Sequence, residues 1–155
     1  ALTHAFARRF TERGRGGLVL MSSLVAFQGV PRAATYAATK AFIQTFAEGL
    51  RRELAPHGVD VLASAPGPVH SGFAERATMT MARALPPDVV ARGTLAALGR
   101  VGTVRPGWLS KMLGGSLMLL PRAGRVRVMA SVMAGMTNPD AAIAKAAVGA
   151  SDPAA

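Results

Sequence analysis

The chain has 155 residues, enough for one domain, and its 50% hydrophobic and 17% charged residues exclude an intrinsically disordered composition. It has no cysteine, which excludes disulfides, thiolate metal sites and a thiol nucleophile, and its three histidines (His4, His57 and His70) do not stand at zinc-ligand spacing. Eighteen basic residues against 8 acidic ones give a formal net charge of +10, but aromatic residues make up 5% of the chain and nowhere interleave with basic ones, so nucleic-acid binding is not expected.

Residues 2–13 read as an amphipathic helix, with Leu2, Ala5, Phe6 and Phe10 on one face, and Gly14, Gly16 and Gly17 stop it. Leu18-Val-Leu-Met21 is a short continuous apolar run, the pattern of a parallel strand buried on both faces, and Ser22 and Ser23 end it. A loop with Gly29 and Pro31 leads into a long helix over 34–55, whose apolar face includes Ala37, Ala41, Phe42, Phe46 and Leu50; Pro56 and Gly58 close it. Val59–Ala63 is a second strand, broken by Pro66-Gly67-Pro68. Helix, strand, helix, strand is the rhythm of a doubly wound parallel sheet. A helix from Pro86 to about Gly99, a third strand over 103–105 and two amphipathic stretches, 108–120 and 122–136, complete the pattern. Residues 137–155 are alanine-rich and expected to be a disordered tail. No uncharged apolar run reaches the roughly 18 residues that span a bilayer. The first residue is Ala1 rather than Met, and the chain is expected to be part of a longer protein.

Tyr36 is the sole tyrosine, and Lys40 follows one helical turn later on the same face. A phenol titrates near pH 10, too high for proton transfer at neutrality, and a fixed ammonium nearby lowers that value. Taken alone, the pair fits a half-buried tyrosine beside a solvated lysine. Ser23, however, ends a predicted buried strand thirteen residues upstream, and catalytic groups of open α/β sheets collect at the carboxyl ends of strands.

Three segments in this order resemble the short-chain dehydrogenase/reductase family: Gly17–Ser23, Tyr36-Ala-Ala-Thr-Lys40, and Val59-Asp-Val-Leu-Ala-Ser-Ala-Pro-Gly-Pro-Val-His-Ser71. The resemblance is clear over residues 1–77 and weaker to about 136. It implies an α/β fold: a Rossmann-like doubly wound parallel sheet, here incomplete, with its amino-terminal βαβ half missing and a helical carboxyl-terminal extension. Residues 1–107 would be the carboxyl half of the catalytic domain and 108–136 the extension. The resemblance implies Tyr36 as general acid/base and Lys40 as the cation that lowers its pKa and holds the nicotinamide ribose. It implies Ser23 as the group orienting the substrate carbonyl. Pro66 and Gly67 would line the nicotinamide, and Val69 and Ser71 would hold its carboxamide. The cofactor would be NAD or NADP.

The family's glycine-rich pyrophosphate turn has no counterpart, since Gly14–Gly17 precedes a strand rather than a helix. The asparagine of the family's proton relay would fall before Ala1. The chain alone is therefore expected to be inactive.

After Ser71 the family places a substrate-covering segment, where Phe73, Met79, Met81 and Leu85 suit an adaptable apolar lid. Between Asp88 and Asp140 no acidic residue occurs, while Trp108, Leu109, Met112, Leu113, Leu117 and Leu120 stand among Arg105, Lys111, Arg122, Arg125 and Arg127. Such a segment over 108–127 suits peripheral contact with an anionic membrane, or packing on its own domain or a second subunit.

The leading reading is an NAD(P)-dependent oxidoreductase acting on a small carbonyl or alcohol substrate, an apolar one if the lid is any guide. It would be cytoplasmic and homo-oligomeric through helices 2–13 and 34–55, as the family often is. The alternative is a non-catalytic remnant or interaction module.

Overall fold

Two apolar runs of similar character, each entered after a glycine, become neighbouring parallel strands. The computed structural model describes residues 2–72, 76 and 84–136. In chain order these form α1 (Leu2–Arg13), β1 (Gly16–Met21), α2 (Ala34–Leu54), β2 (Val59–Ser64), α3 (Pro87–Leu95), β3 (Thr103–Val104), α4 (Trp108–Met118) and α5 (Arg122–Met136). The sheet order is β1-β2-β3, and both pairings are parallel. Leu18 stands opposite Val61, and Leu20 opposite Ala63.

Side-chain alternation along the strands dresses both faces of this sheet. Val61 and Ala63 point to one face, where they pack with Ala47, Leu50 and Leu54 of α2 and with Leu18 and Leu20 of β1. Ser64 points the other way and shares a 2.8 Å hydrogen bond with Thr94 of α3. Helices on both faces of a parallel sheet define the expected α/β doubly wound class. The sheet is small, as the incomplete fold implies.

The third strand is shorter than expected, because Pro106, just past Val104 and Arg105, has no N–H for a ladder. The predicted helix over 86–99 stops at Leu95 and continues as turns to Gly99, whose φ is 79°. Gly58, at φ 70°, caps the turn between α2 and β2 in the left-handed region, where a side chain would be strained.

The expectation of full burial for the first strand does not hold. Residues 16–20 are half-buried and Met21 is 47% exposed, because β1 lies at the sheet edge and has β2 on one side only. The central strand β2 is closed on both sides, and Val61, Leu62, Ala63 and Ser64 are 0% exposed.

A second apolar cluster lies beside the sheet. Met129 and Met133 of α5 pack with Val30 and Ala37, so α5 shares a core with the loop and the first turn of α2 that carry Tyr36. Of the lid residues, Phe73, Met79 and Met81 lie outside the described residues, as does the tail 137–155; Leu85 pairs in a parallel bridge with Val69.

Candidate active site

The chain leaves β1 through two serines with different tasks. Ser22 is buried: its N–H donates to the Ser64 carbonyl at 2.7 Å and its Oγ to the Lys40 carbonyl at 3.1 Å. It thereby ties the end of β1 to both β2 and α2. Ser23 is half-buried and caps the short helical turn Leu24–Phe27, its Oγ accepting from the Val25 N–H at 3.4 Å. The same side chain hydrogen-bonds Tyr36. That turn was expected to be irregular loop; the Ser23 cap supplies the local reason it is not.

Tyr36 and Lys40 lie on α2, near its amino end, at the spacing that places them on one face. The Lys40 ammonium sits 5.6 Å from the centre of the Tyr36 ring. Its hydrogen bond goes to the Met21 carbonyl, at 2.9 Å. The ammonium is thus anchored between the edge strand and the phenol ring.

The electrostatics differ from the expected lowering of the tyrosine. Burial raises the Tyr36 phenol above its ordinary value, and the Ser23 hydrogen bond offsets part of that rise. Burial lowers the Lys40 ammonium from its ordinary range. Partial withdrawal from water disfavours the charged form of each.

The second strand supplies the opposite wall. Pro66 accepts a hydrogen bond from the Leu24 N–H at 3.0 Å, which joins the turn after Ser23 to the Pro-Gly loop. The Gly67 N–H donates to Ser110 Oγ of α4 at 3.1 Å. A Cβ at Gly67 would stand 2.8 Å from that oxygen, so the close approach of α4 requires glycine there. Val69 is half-buried and held by its bridge to Leu85, with the His70 N–H donating to the Leu85 carbonyl at 2.9 Å. Ser71 is exposed.

Ser23, Tyr36 and Lys40 are therefore brought together, with Pro66 and Gly67 joined to them through Leu24. Sequence reasoning missed two supports, Ser22 and the 97%-buried Ser110, which is 3% exposed. Ser110 stands 43 residues from Gly67 and belongs to no local pattern. Ser22 was read only as the end of a strand. Among the described residues no group of His, Asp or Glu could hold a metal ion.

Parallel strands whose carboxyl ends gather a hydroxyl, a phenol and an ammonium fit the class of α/β nicotinamide oxidoreductases. The short chain dehydrogenase family model matches residues 1–82, more than half of the chain, and the chain belongs to that family. An uncharacterized oxidoreductase of Myxococcus xanthus is 45% identical over 71 residues, which cover 46% of this chain and 28% of that protein. The uncharacterized oxidoreductase YbbO of Escherichia coli is 28% identical over 145 residues, 86% of this chain and 54% of that protein. This chain thus matches about half or less of the length of these relatives. A short chain dehydrogenase from Burkholderia cenocepacia, solved in complex with NADP, superimposes with a TM-score of 0.67 at 27% identity, covering 74% of this chain and 49% of that one.

Proposed function

We propose that the chain carries the proton-transfer half of an NAD- or NADP-dependent oxidoreductase for a small carbonyl or alcohol substrate. The observation that carries this reading is the hydrogen bond between Ser23 and Tyr36 with the Lys40 ammonium 5.6 Å from the same ring. The bound nicotinamide would supply or accept the hydride.

In reduction the Tyr36 hydroxyl donates its proton to the substrate carbonyl oxygen, and in oxidation the phenolate takes it back. Burial of Tyr36 favours the protonated form, which suits the donor role at neutral pH. Ser23 hydrogen-bonds the same substrate oxygen and holds it at the phenol. Lys40 would hold the ribose hydroxyls of a bound cofactor, and its charge stabilises Tyr36 once the proton has left. Pro66 and Gly67 would line the nicotinamide, and Val69 and Ser71 would hold its carboxamide. The donor set fits the nicotinamide end of a dinucleotide. No glycine-rich turn is present for the pyrophosphate, so the 155-residue chain alone binds either cofactor weakly and turns over no substrate.

Two further properties belong to the proposal. Phe42 and Phe46 stack on the outer side of α2 with centroids 5.9 Å apart and are 70% and 42% exposed. An apolar groove of about 500 Å³ between α1 and α2 is lined by Thr3, Ala7, Arg8, Phe46, Leu50 and Leu54. This surface suits pairing of two copies through α1 and α2. Residues 108–127 make a peripheral contact with a membrane surface from the cytoplasmic side.

The decisive experiment is Tyr36→Phe in the longer enzyme that supplies a glycine-rich turn. Turnover should fall by roughly 10²–10⁴-fold with the fold intact. Wild-type turnover in that variant would overturn the assignment. Isothermal titration of the 155-residue chain with both cofactors checks the second part, and micromolar affinity would refute it.

A further inference from the structure

Helix α4 turns part of its apolar surface, led by Trp108 and Met112, outward. Ser110 and Gly114 are buried and Leu117 half-buried, at the spacing of one face, and Ser110 on that face bonds Gly67. Trp108, Met112 and Leu119 fall on the opposite side, within about 40° of one another at about 100° per residue. They are 70%, 54% and 87% exposed, and Met118 beside them is 51% exposed. A large tryptophan, a methionine and a leucine in one exposed stripe are not scattered surface residues; a contiguous apolar patch marks a contact surface.

The charged residues nearest the stripe in sequence are of one sign. Lys111 precedes Met112, and Arg122 and Arg127 follow Leu119 within the next eight residues; all three are exposed. Arg125 Nε donates to the Leu120 carbonyl at 2.9 Å, which fastens the start of α5 to the end of the stripe. From Val89 to Pro139 the sequence has no aspartate or glutamate. An identical copy of this patch would set cation against cation. An anionic surface would neutralise it.

No described helix is long and apolar enough to cross a membrane. A tryptophan-led apolar stripe with a cationic border instead suits a helix lying in the headgroup layer. We propose that α4 and the start of α5 form a docking surface for anionic phospholipid bilayers, with Trp108, Met112 and Leu119 inserted and Lys111 and Arg122 on the headgroups. This deepens, and rests on, the peripheral-contact part of the proposed function. It is independent of the redox chemistry.

The test uses the full chain and vesicles, with no turnover needed. Trp108 is the only tryptophan, so its fluorescence reports the stripe directly. The chain is mixed with phosphatidylcholine vesicles and with vesicles that also contain phosphatidylserine. Co-sedimentation and a blue shift are expected with the second kind, at roughly tenfold or higher affinity, and high salt should reverse them. Met112→Ser with Leu119→Ser should abolish the blue shift. Lys111→Glu with Arg122→Glu should abolish the preference for phosphatidylserine. These positions are exposed, and circular dichroism of each variant verifies that it folds. Equal affinity for both vesicles, or none for either, would overturn the proposal. So would a concentration-dependent blue shift without lipid, which would mean that a second copy covers the stripe. A failed Tyr36→Phe prediction would leave this result untouched, and a failed vesicle result would leave the catalytic assignment untouched.

Discussion

Strands β1 and β2 run side by side with similar aliphatic side chains, β2 ending in Ser64 and β1 followed by Ser22 and Ser23, yet they live in different surroundings. Val61, Leu62 and Ala63 of β2 are wholly buried, while every residue of β1 keeps some exposure. Ser64 at the end of β2 is buried and bonded to Thr94; Ser23, just past β1, is half-buried and bonded to Tyr36. For the strands the difference is one of position in this chain's sheet; the serines do not follow it, since Ser22, directly after β1, is buried and structural like Ser64. A strand with neighbours on both sides and helices on both faces is sealed, and its serine becomes structural. In this 155-residue chain the edge strand stays partly open, and Ser23, two residues past it, is half-buried.

The sharpest way to break this contrast is truncation of matched side chains. Leu62→Ala should cost about 2–5 kcal/mol in denaturant unfolding, the range for emptying a sealed apolar site. Leu18→Ala on the half-buried edge strand should cost about 1 kcal/mol, since less surface returns to water. Equal costs would mean that β1 is covered in solution, for instance by edge pairing between copies.

The serines give the next contrast. Ser64→Ala leaves the Thr94 hydroxyl buried at 4% exposure without its partner and should destabilise the chain by about 1–3 kcal/mol. Ser23→Ala removes a half-exposed cap and should cost about 0.5–1 kcal/mol by the same measurement. In the longer enzyme the order should invert, with Ser23→Ala reducing turnover more than Ser64→Ala.

A smaller effect is spectroscopic. Tyr36 is the only tyrosine, so its titration can be followed by tyrosinate absorbance in the 155-residue chain. The midpoint should lie above 10.0, and Ser23→Ala should raise it further by removing the bond that favours the phenolate. A phenol raised on folding contributes stability that is full below its unfolded value and lost as pH climbs through the folded one. Stability should therefore fall in alkali, and less so in Tyr36→Phe. Lys40, lowered on folding from 10.5, contributes in the opposite sense: its share is present above that unfolded value and is lost as pH falls through the folded one. A midpoint below 10.0 would show that Lys40 outweighs burial in solution.

Much of this architecture was written in local pattern. Proline and glycine at 56–58, 66–68 and 106–107 mark where regular structure stops, and the spacing of Tyr36 and Lys40 places them on one helix face before any fold is known. The lid expectation on Phe73, Met79 and Met81 lies outside the described residues. Ser110 could not be read in this way, because its partner Gly67 is far away in sequence and its own surroundings look like any amphipathic helix. The direction of the Tyr36 shift was also hidden, since it depends on how deeply the phenol is buried.

By itself the sequence determined the element order and the α/β class and singled out Ser23, Tyr36 and Lys40 as candidates, because periodicity, breakers and short motifs are properties of neighbouring residues. Tertiary structure alone decided which strand is sealed and which is open, which serine meets Tyr36, and that α4 turns Trp108, Met112 and Leu119 away from the body. Burial and hydrogen-bond partners depend on segments distant in the chain, and an apolar run carries the same residues whether or not anything comes to cover it.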